Sequence, residues 1–185
     1  MALTPDAKIR ADQLKALVRT IPDFPKPGIQ FRDVTTLLLD PAGLAESVEA
    51  LAATLDGPVD LVAAIDARGF AIGGALAVRI GAGLLLVRKD GKLPGATIAE
   101  DYALEYGTDR LAMHVDAVTP GARVLVVDDL IATGGTALAA VRLVRRAGGT
   151  VVGARFLIDL ADLGGTASLI ADGVDAVSLM AFEGD

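Results

Sequence analysis

The chain has 185 residues, enough for one domain with a substantial core. Hydrophobic residues make up 52% and charged residues 22%, with a mean hydropathy of +0.52, which excludes intrinsic disorder. The net charge is −7, cysteine is absent and His114 is the single histidine. That sets aside a general nucleic-acid binder, disulfides, thiolate chemistry, a Cys- or His-based metal centre and a Ser-His-Asp triad.

In chain order, Thr4-Pro5 starts a helix, with Leu14, Leu17, Val18 and Ile21 at helical spacing. The first ten residues are polar and lack the apolar core of a signal peptide, so the expected location is the cytoplasm. Pro22, Pro25 and Pro27 forbid regular helix and predict an extended or turning segment. Asp40-Pro41 opens a second helix with Leu44, Val48, Leu51 and Leu55 on one face. Residues 61–65 read as a buried strand, 70–78 as a helix rich in small residues and 84–87 as a strand. Together 69–87 are apolar enough to raise a membrane span. Arg79 in the middle costs about 2.5–3.5 kcal/mol on insertion scales, and glycines punctuate the stretch, so no membrane partner is expected.

Residues 88–110 are rich in charge, Gly and Pro and lack periodicity, as a functional excursion would. Leu111, Met113 and Val115 alternate as in a half-buried strand, with His114 on its polar side as a surface residue. A strand follows at 124–127, then a helix at 136–147 ending in Arg145, Arg146 and two glycines. Strands at 151–158 and 176–180 flank a short helix near 167–171. This alternation predicts a single α/β domain, a mostly parallel twisted sheet flanked by helices, with ligands beyond the carboxyl ends of its strands.

The strongest signal follows the strand at 124–127. It reads Asp128-Asp129-Leu130-Ile131-Ala132-Thr133-Gly134-Gly135-Thr136 and runs into a helix. Glycines let backbone amides converge, the helix adds free N–H groups and its dipole, and Thr133 and Thr136 add hydroxyls: a phosphate cradle. It is not a Walker loop, having no G-x-x-x-x-G-K. Asp128 and Asp129 would repel phosphate but suit sugar hydroxyls, or a Mg²⁺ held with that sugar. Together these describe a phosphorylated pentose. A helix cap over a glycine turn is the plainer alternative. Asp66-Ala67-Arg68-Gly69 gives a second strand-to-helix turn with a cation beside it, and Arg88, Lys89 and Lys92 cluster beyond another strand end.

Residues 126–136 resemble the phosphoribosyl-pyrophosphate motif of the type I phosphoribosyltransferases. Four further blocks narrow the resemblance to the adenine phosphoribosyltransferase branch: Phe24-Pro25-Lys26-Pro27-Gly28-Ile29-Gln30-Phe31-Arg32-Asp33, Asp66-Ala67-Arg68-Gly69-Phe70, Val87-Arg88-Lys89-Asp90-Gly91-Lys92-Leu93-Pro94-Gly95 and Leu104-Glu105-Tyr106-Gly107-Thr108-Asp109. The resemblance implies an N-terminal hood over about residues 1–35, a core over 36–185, and a mobile lid near 95–110. It implies transfer of phosphoribosyl from phosphoribosyl pyrophosphate to adenine, giving AMP and pyrophosphate, with Mg²⁺ entering alongside the substrate.

On that reading Ala132, Thr133, Gly134, Gly135 and Thr136 take the 5′-phosphate and Asp128 and Asp129 the ribose. Asp66, Ala67, Arg68, Arg88 and Lys92 take the pyrophosphate, Arg88 being supplied across a homodimer. Adenine lies between Phe31 and Ile131, with backbone near Gln30 and Arg32 reading its edge. Gln30 stands where the family more often has an aliphatic residue. Glu105 matches the catalytic glutamate, and Tyr102 and Tyr106 belong to the lid.

Overall fold

The computed structural model describes residues 5–104 and 107–183. Helix α1 (Pro5–Leu17) stops short of the expected periodicity. Val18 packs into the core, but Ile21 falls on strand β1 (Arg19–Pro22), paired antiparallel with β2 (Gln30–Asp33). The prolines impose this change, since none can continue a helix or donate to one. In the connection, Asp23 holds a left-handed backbone (φ 58°) and its Oδ1 accepts from the Gly28 amide at 2.8 Å. Helices α2 (Thr35–Leu39) and α3 (Pro41–Ala52) follow. Asp40 caps α3, its Oδ1 accepting from the Gly43 amide at 2.7 Å, and Pro41 occupies the first turn where its missing N–H costs nothing.

The core then alternates: β3 (Leu61–Ile65), α4 (Gly69–Ile80), β4 (Gly83–Lys89), β5 (Thr97–Leu104), β6 (Gly107–His114), β7 (Arg123–Ile131), α5 (Gly135–Arg146), β8 (Thr150–Leu160), α6 (Gly165–Ala171) and β9 (Ala176–Phe182). The sheet order is β5-β6-β4-β3-β7-β8-β9, parallel from β4 to β9 and antiparallel at β4–β6 and β5–β6. Residues of β3 and β7 alternate between two cores. Ala63, Ile65, Val124 and Val126 face the α5 side, while Val62, Leu125 and Val127 face α3 and α4. Each fully buried Leu, Val or Ile contributes about 1.5–3 kcal/mol against solvent. A Cβ at Gly73 would sit 2.6 Å from the Ala64 Cβ, so the small residues of α4 are what let it lie on β3.

Two expectations are corrected. Residues 88–110 are not irregular: β4 runs into them, and β5 and β6 form a hairpin in register from Thr97↔His114 to Leu104↔Gly107. Its inward face carries Ile98, Glu100 and Tyr102, and the central Glu100 hid the apolar alternation. Glu100 is bonded by Arg146 Nη1 at 2.9 Å, from α5. Strand β7 does not end at 127 but continues through both aspartates to Ile131, because β8 alongside is long enough to pair as far as Asp159. His114 is half-buried, its Nε2 2.8 Å from the Pro94 carbonyl oxygen, so that nitrogen carries the proton and donates. No helix among the described residues is long and apolar enough to cross a membrane.

Candidate active site

The carboxyl ends of β3 and β7 lie side by side, and the expected residues gather there. Beyond Ile131 the chain turns through Ala132, Thr133 and Gly134 into α5. Gly134 is the N-cap at φ 85°, a conformation that a Cβ would strain. The first turn of any helix leaves amides without intrahelical acceptors, and here they open onto a cavity of about 240 Å³ lined by Asp128 and residues 130–137. Gly135 and Thr136 are half-buried and Thr133 is exposed on its rim. The cavity adjoins the acidic end of β7.

The aspartates differ in their partners. Asp129 is buried and its Oδ2 accepts from Arg68 Nε at 2.5 Å. Asp128 Oδ1 accepts from the Asp129 amide at 2.9 Å. Burial, and then the neighbouring Asp129 charge, push the Asp128 carboxyl well above the usual carboxylate range. The β3–α4 turn presses directly on it: a Cβ at Gly69 would lie 2.8 Å from Asp128 Oδ1 and 3.0 Å from the Val127 carbonyl oxygen. Thus the Asp66-Ala67-Arg68-Gly69 turn and the acidic pair form one structure. Among the described residues no group of three or more His, Cys, Asp or Glu could hold a metal. Two carboxylates at one strand end suit an Mg²⁺ that arrives with substrate phosphates, which keeps few protein ligands.

Arg88 is placed within its own chain. Its Nε donates to Asp66 Oδ2 at 2.9 Å and its Nη1 to the Lys92 carbonyl at 3.2 Å, while the Lys92 side chain is exposed. Phe31 of β2 reaches Arg68, its ring lying 5.5 Å from the guanidinium and packing edge-on against Phe24 at 5.1 Å. The Arg32 side chain turns away, donating to Thr20 Oγ1 at 2.7 Å and to the Glu183 carbonyl at 3.3 Å. Gln30 is half-buried opposite Pro22, and Ile131 is buried beneath the cradle. Tyr102, expected on a lid, is instead a buried core residue. Glu105 and Tyr106 lie outside the described residues.

The phosphoribosyl transferase domain family matches residues 35–166. An adenine phosphoribosyltransferase of Sphingopyxis alaskensis is 58% identical over 173 residues, covering 93% of this chain and 94% of that protein. The structure of the Rhodothermus marinus adenine phosphoribosyltransferase superposes with a TM-score of 0.90 at 49% identity, covering 95% of this chain and 99% of the other. The Saccharomyces cerevisiae enzyme, solved with adenine and an imino-altritol bisphosphate, gives a TM-score of 0.88 at 32% identity, covering 93% and 99%. The chain belongs to the adenine phosphoribosyltransferase family.

This phosphoribosyltransferase fold also enlists residues that the sequence reading missed. Gly165 donates its amide to the Ala132 carbonyl at 3.0 Å, bracing the cradle from below. Thr166 Oγ1 donates to Asp159 Oδ2 at 2.9 Å, fixing the start of α6 to the end of β8. The Gly164-Gly165 pair was the available signal. Nothing local says which loop it supports.

Proposed function

We propose that this chain transfers the 5-phosphoribosyl group of phosphoribosyl pyrophosphate to adenine, giving AMP and pyrophosphate in purine salvage. One observation carries the reading: an amide-lined cavity at the head of α5 adjoins a carboxylate pair already engaged by Arg68. A terminal phosphate and a polyhydroxylated sugar a few ångströms apart satisfy both halves. The yeast relative was solved with a bisphosphate and with adenine.

The 5′-phosphate enters the cradle at Ala132, Thr133, Gly134, Gly135 and Thr136. Asp128 and Asp129 take the ribose hydroxyls, and Arg68 exchanges its carboxylate partner for pyrophosphate. Arg88 and Lys92 add positive charge toward the leaving group. The bond from the anomeric carbon to pyrophosphate breaks with its electron pair leaving on oxygen, and a purine nitrogen donates the pair that forms the new bond. Positioning and fixed charge supply most of the rate gain. Adenine lies between Phe31 and Ile131, with the backbone of Gln30 and Arg32 at its edge. Glu105 orients the purine or moves its proton. Mg²⁺ accompanies the substrate and offsets pyrophosphate charge when bound.

The whole chain acts as one domain in the cytoplasm, with about residues 1–35 as hood, about 36–185 as core and about 95–110 as lid. The active form is a homodimer. Interior strand β4 leaves Leu84 and Leu86 exposed on the face that also carries Arg88, an apolar strip beside α4 suited to a second copy. Incubation with Mg²⁺, phosphoribosyl pyrophosphate and each purine in turn tests the reading: AMP from adenine is expected. Preferential use of a 6-oxopurine, or no nucleotide at all, refutes it.

A further inference from the structure

Successive side chains of a strand leave on opposite faces, and β2 divides its work that way. Phe31 goes to Arg68, with 5.5 Å between ring and guanidinium. Arg32 goes to the end of β9, the edge strand of the seven-stranded sheet. There its guanidinium carbon lies 4.7 Å from the centroid of the Phe182 ring, and its Nη2 donates to the Glu183 carbonyl at 3.3 Å. Its Nη1 donates to Thr20 Oγ1 of β1 at 2.7 Å. Phe182 takes a second cation from α1: Lys15 Nζ lies 4.4 Å from the same centroid and donates to the Ala181 carbonyl. The ring is buried, so both cations meet it where water screens the attraction least. Through these contacts α1, β1 and β2 are fastened to the end of β9.

We propose, resting on the function above, that Phe182 is a positioning residue for the purine, clasping Arg32 so that β2 is held at the base. The ribbon β1–β2 is a sheet of its own and pairs with no strand of the larger sheet. A two-stranded ribbon is marginal by itself, so side chains must place it. The Arg19–Asp33 ion pair joins β1 to β2 and does not tie the ribbon to the sheet. Val18 and Val34, just outside the ribbon at the end where Arg19 pairs with Asp33, root that end in the core. Beyond that root the clasp on Arg32 fixes how the ribbon lies. Gln30, Phe31 and Arg32 are consecutive, so holding the Arg32 side chain outward sets the Phe31 ring and the neighbouring peptide groups inward. On the reading above, those are the groups at the face and edge of adenine. The planar guanidinium suits the task, since it lies by a ring and donates along its rim at once.

Phe182→Leu keeps apolar bulk and removes the ring face. The expected result is an adenine KM raised about 3- to 10-fold, with the KM for phosphoribosyl pyrophosphate within about twofold. Phe182→Tyr keeps the ring and should hold the adenine KM within about twofold of wild type. Arg32→Gln removes the cation and should raise the adenine KM as Phe182→Leu does, and the double variant should add little more. Amide hydrogen exchange, which needs no turnover, should quicken at residues 30–33 in Phe182→Leu and stay unchanged at 61–65 of β3. Equal rises in both KM values, a Tyr variant no better than Leu, additive effects of the two substitutions, or unchanged exchange at 30–33 would each overturn the clasp. A wild type that forms no AMP overturns the functional reading instead, and the exchange at 30–33 then decides the clasp by itself. The two failures are thus separable.

Discussion

Asp128 and Asp129 occupy successive positions of β7, where side chains ordinarily part to opposite faces. Both nevertheless meet the β3–α4 turn, one against Gly69 and the other on Arg68. Burial, and then the Asp129 charge beside it, raise the Asp128 carboxyl above the usual carboxylate range, while Asp129 is held by Arg68. Changing both to Asn should lower AMP formation by about 10²–10³-fold while thermal unfolding stays cooperative. Full activity would remove them from the ribose site. Asp33 makes a different kind of prediction. Hydrogen bonds from Arg19, foremost, and from Thr35 lower its pKa from 3.8 to about 2. The folded value lies below the unfolded one, so the ionised carboxylate stabilises the hood above about pH 4, and that contribution is lost as pH falls toward 2. Asp33→Asn should cost about 1–2 kcal/mol at pH 7, reduced from the full linkage value because the Arg19 side chain is 55% exposed. Urea melts at pH 7 and near pH 2 should show the gap from wild type closing.

At the scale of elements, the cradle is a loop held by another loop. A Cβ at Gly165 would lie 2.3 Å from the Ala132 carbonyl oxygen and 2.7 Å from the Gly134 nitrogen, both backbone atoms that cannot swing aside. Gly165→Ala should raise the KM for phosphoribosyl pyrophosphate by about tenfold or more and lower the melting temperature. Gly164→Ala is the control. Gly164 has φ +70° with open space around it, so alanine there costs only left-handed strain, about 1–2 kcal/mol, and should leave the KM nearly unchanged. The cradle itself was legible in the sequence because one contiguous stretch builds it. The hairpin at 97–114 was not, because its inward face interposes Glu100, which is matched by Arg146 of α5. The length of β7 was not legible either, since Asp-Asp reads locally as the end of a strand.

For the whole molecule, Leu84 and Leu86 are exposed on an interior strand, with Arg88 two residues further along the same face, and the proposed homodimer would cover them. Leu86→Glu should shift the protein from dimer to monomer in light scattering and reduce turnover. A fully active monomeric wild type would end the composite-site reading. The sequence by itself determined the α/β class, the phosphate loop and the purine-linked family resemblance, since these reside in local periodicity and in short runs whose backbone does the chemistry. Only the tertiary structure decided which groups meet: Arg68 on Asp129 across 61 residues, Gly165 beneath Ala132, Tyr102 on Asp109. Those contacts follow from the order of strands in the sheet. That order is set by how two cores pack against both faces at once, a global balance to which no single segment holds the key.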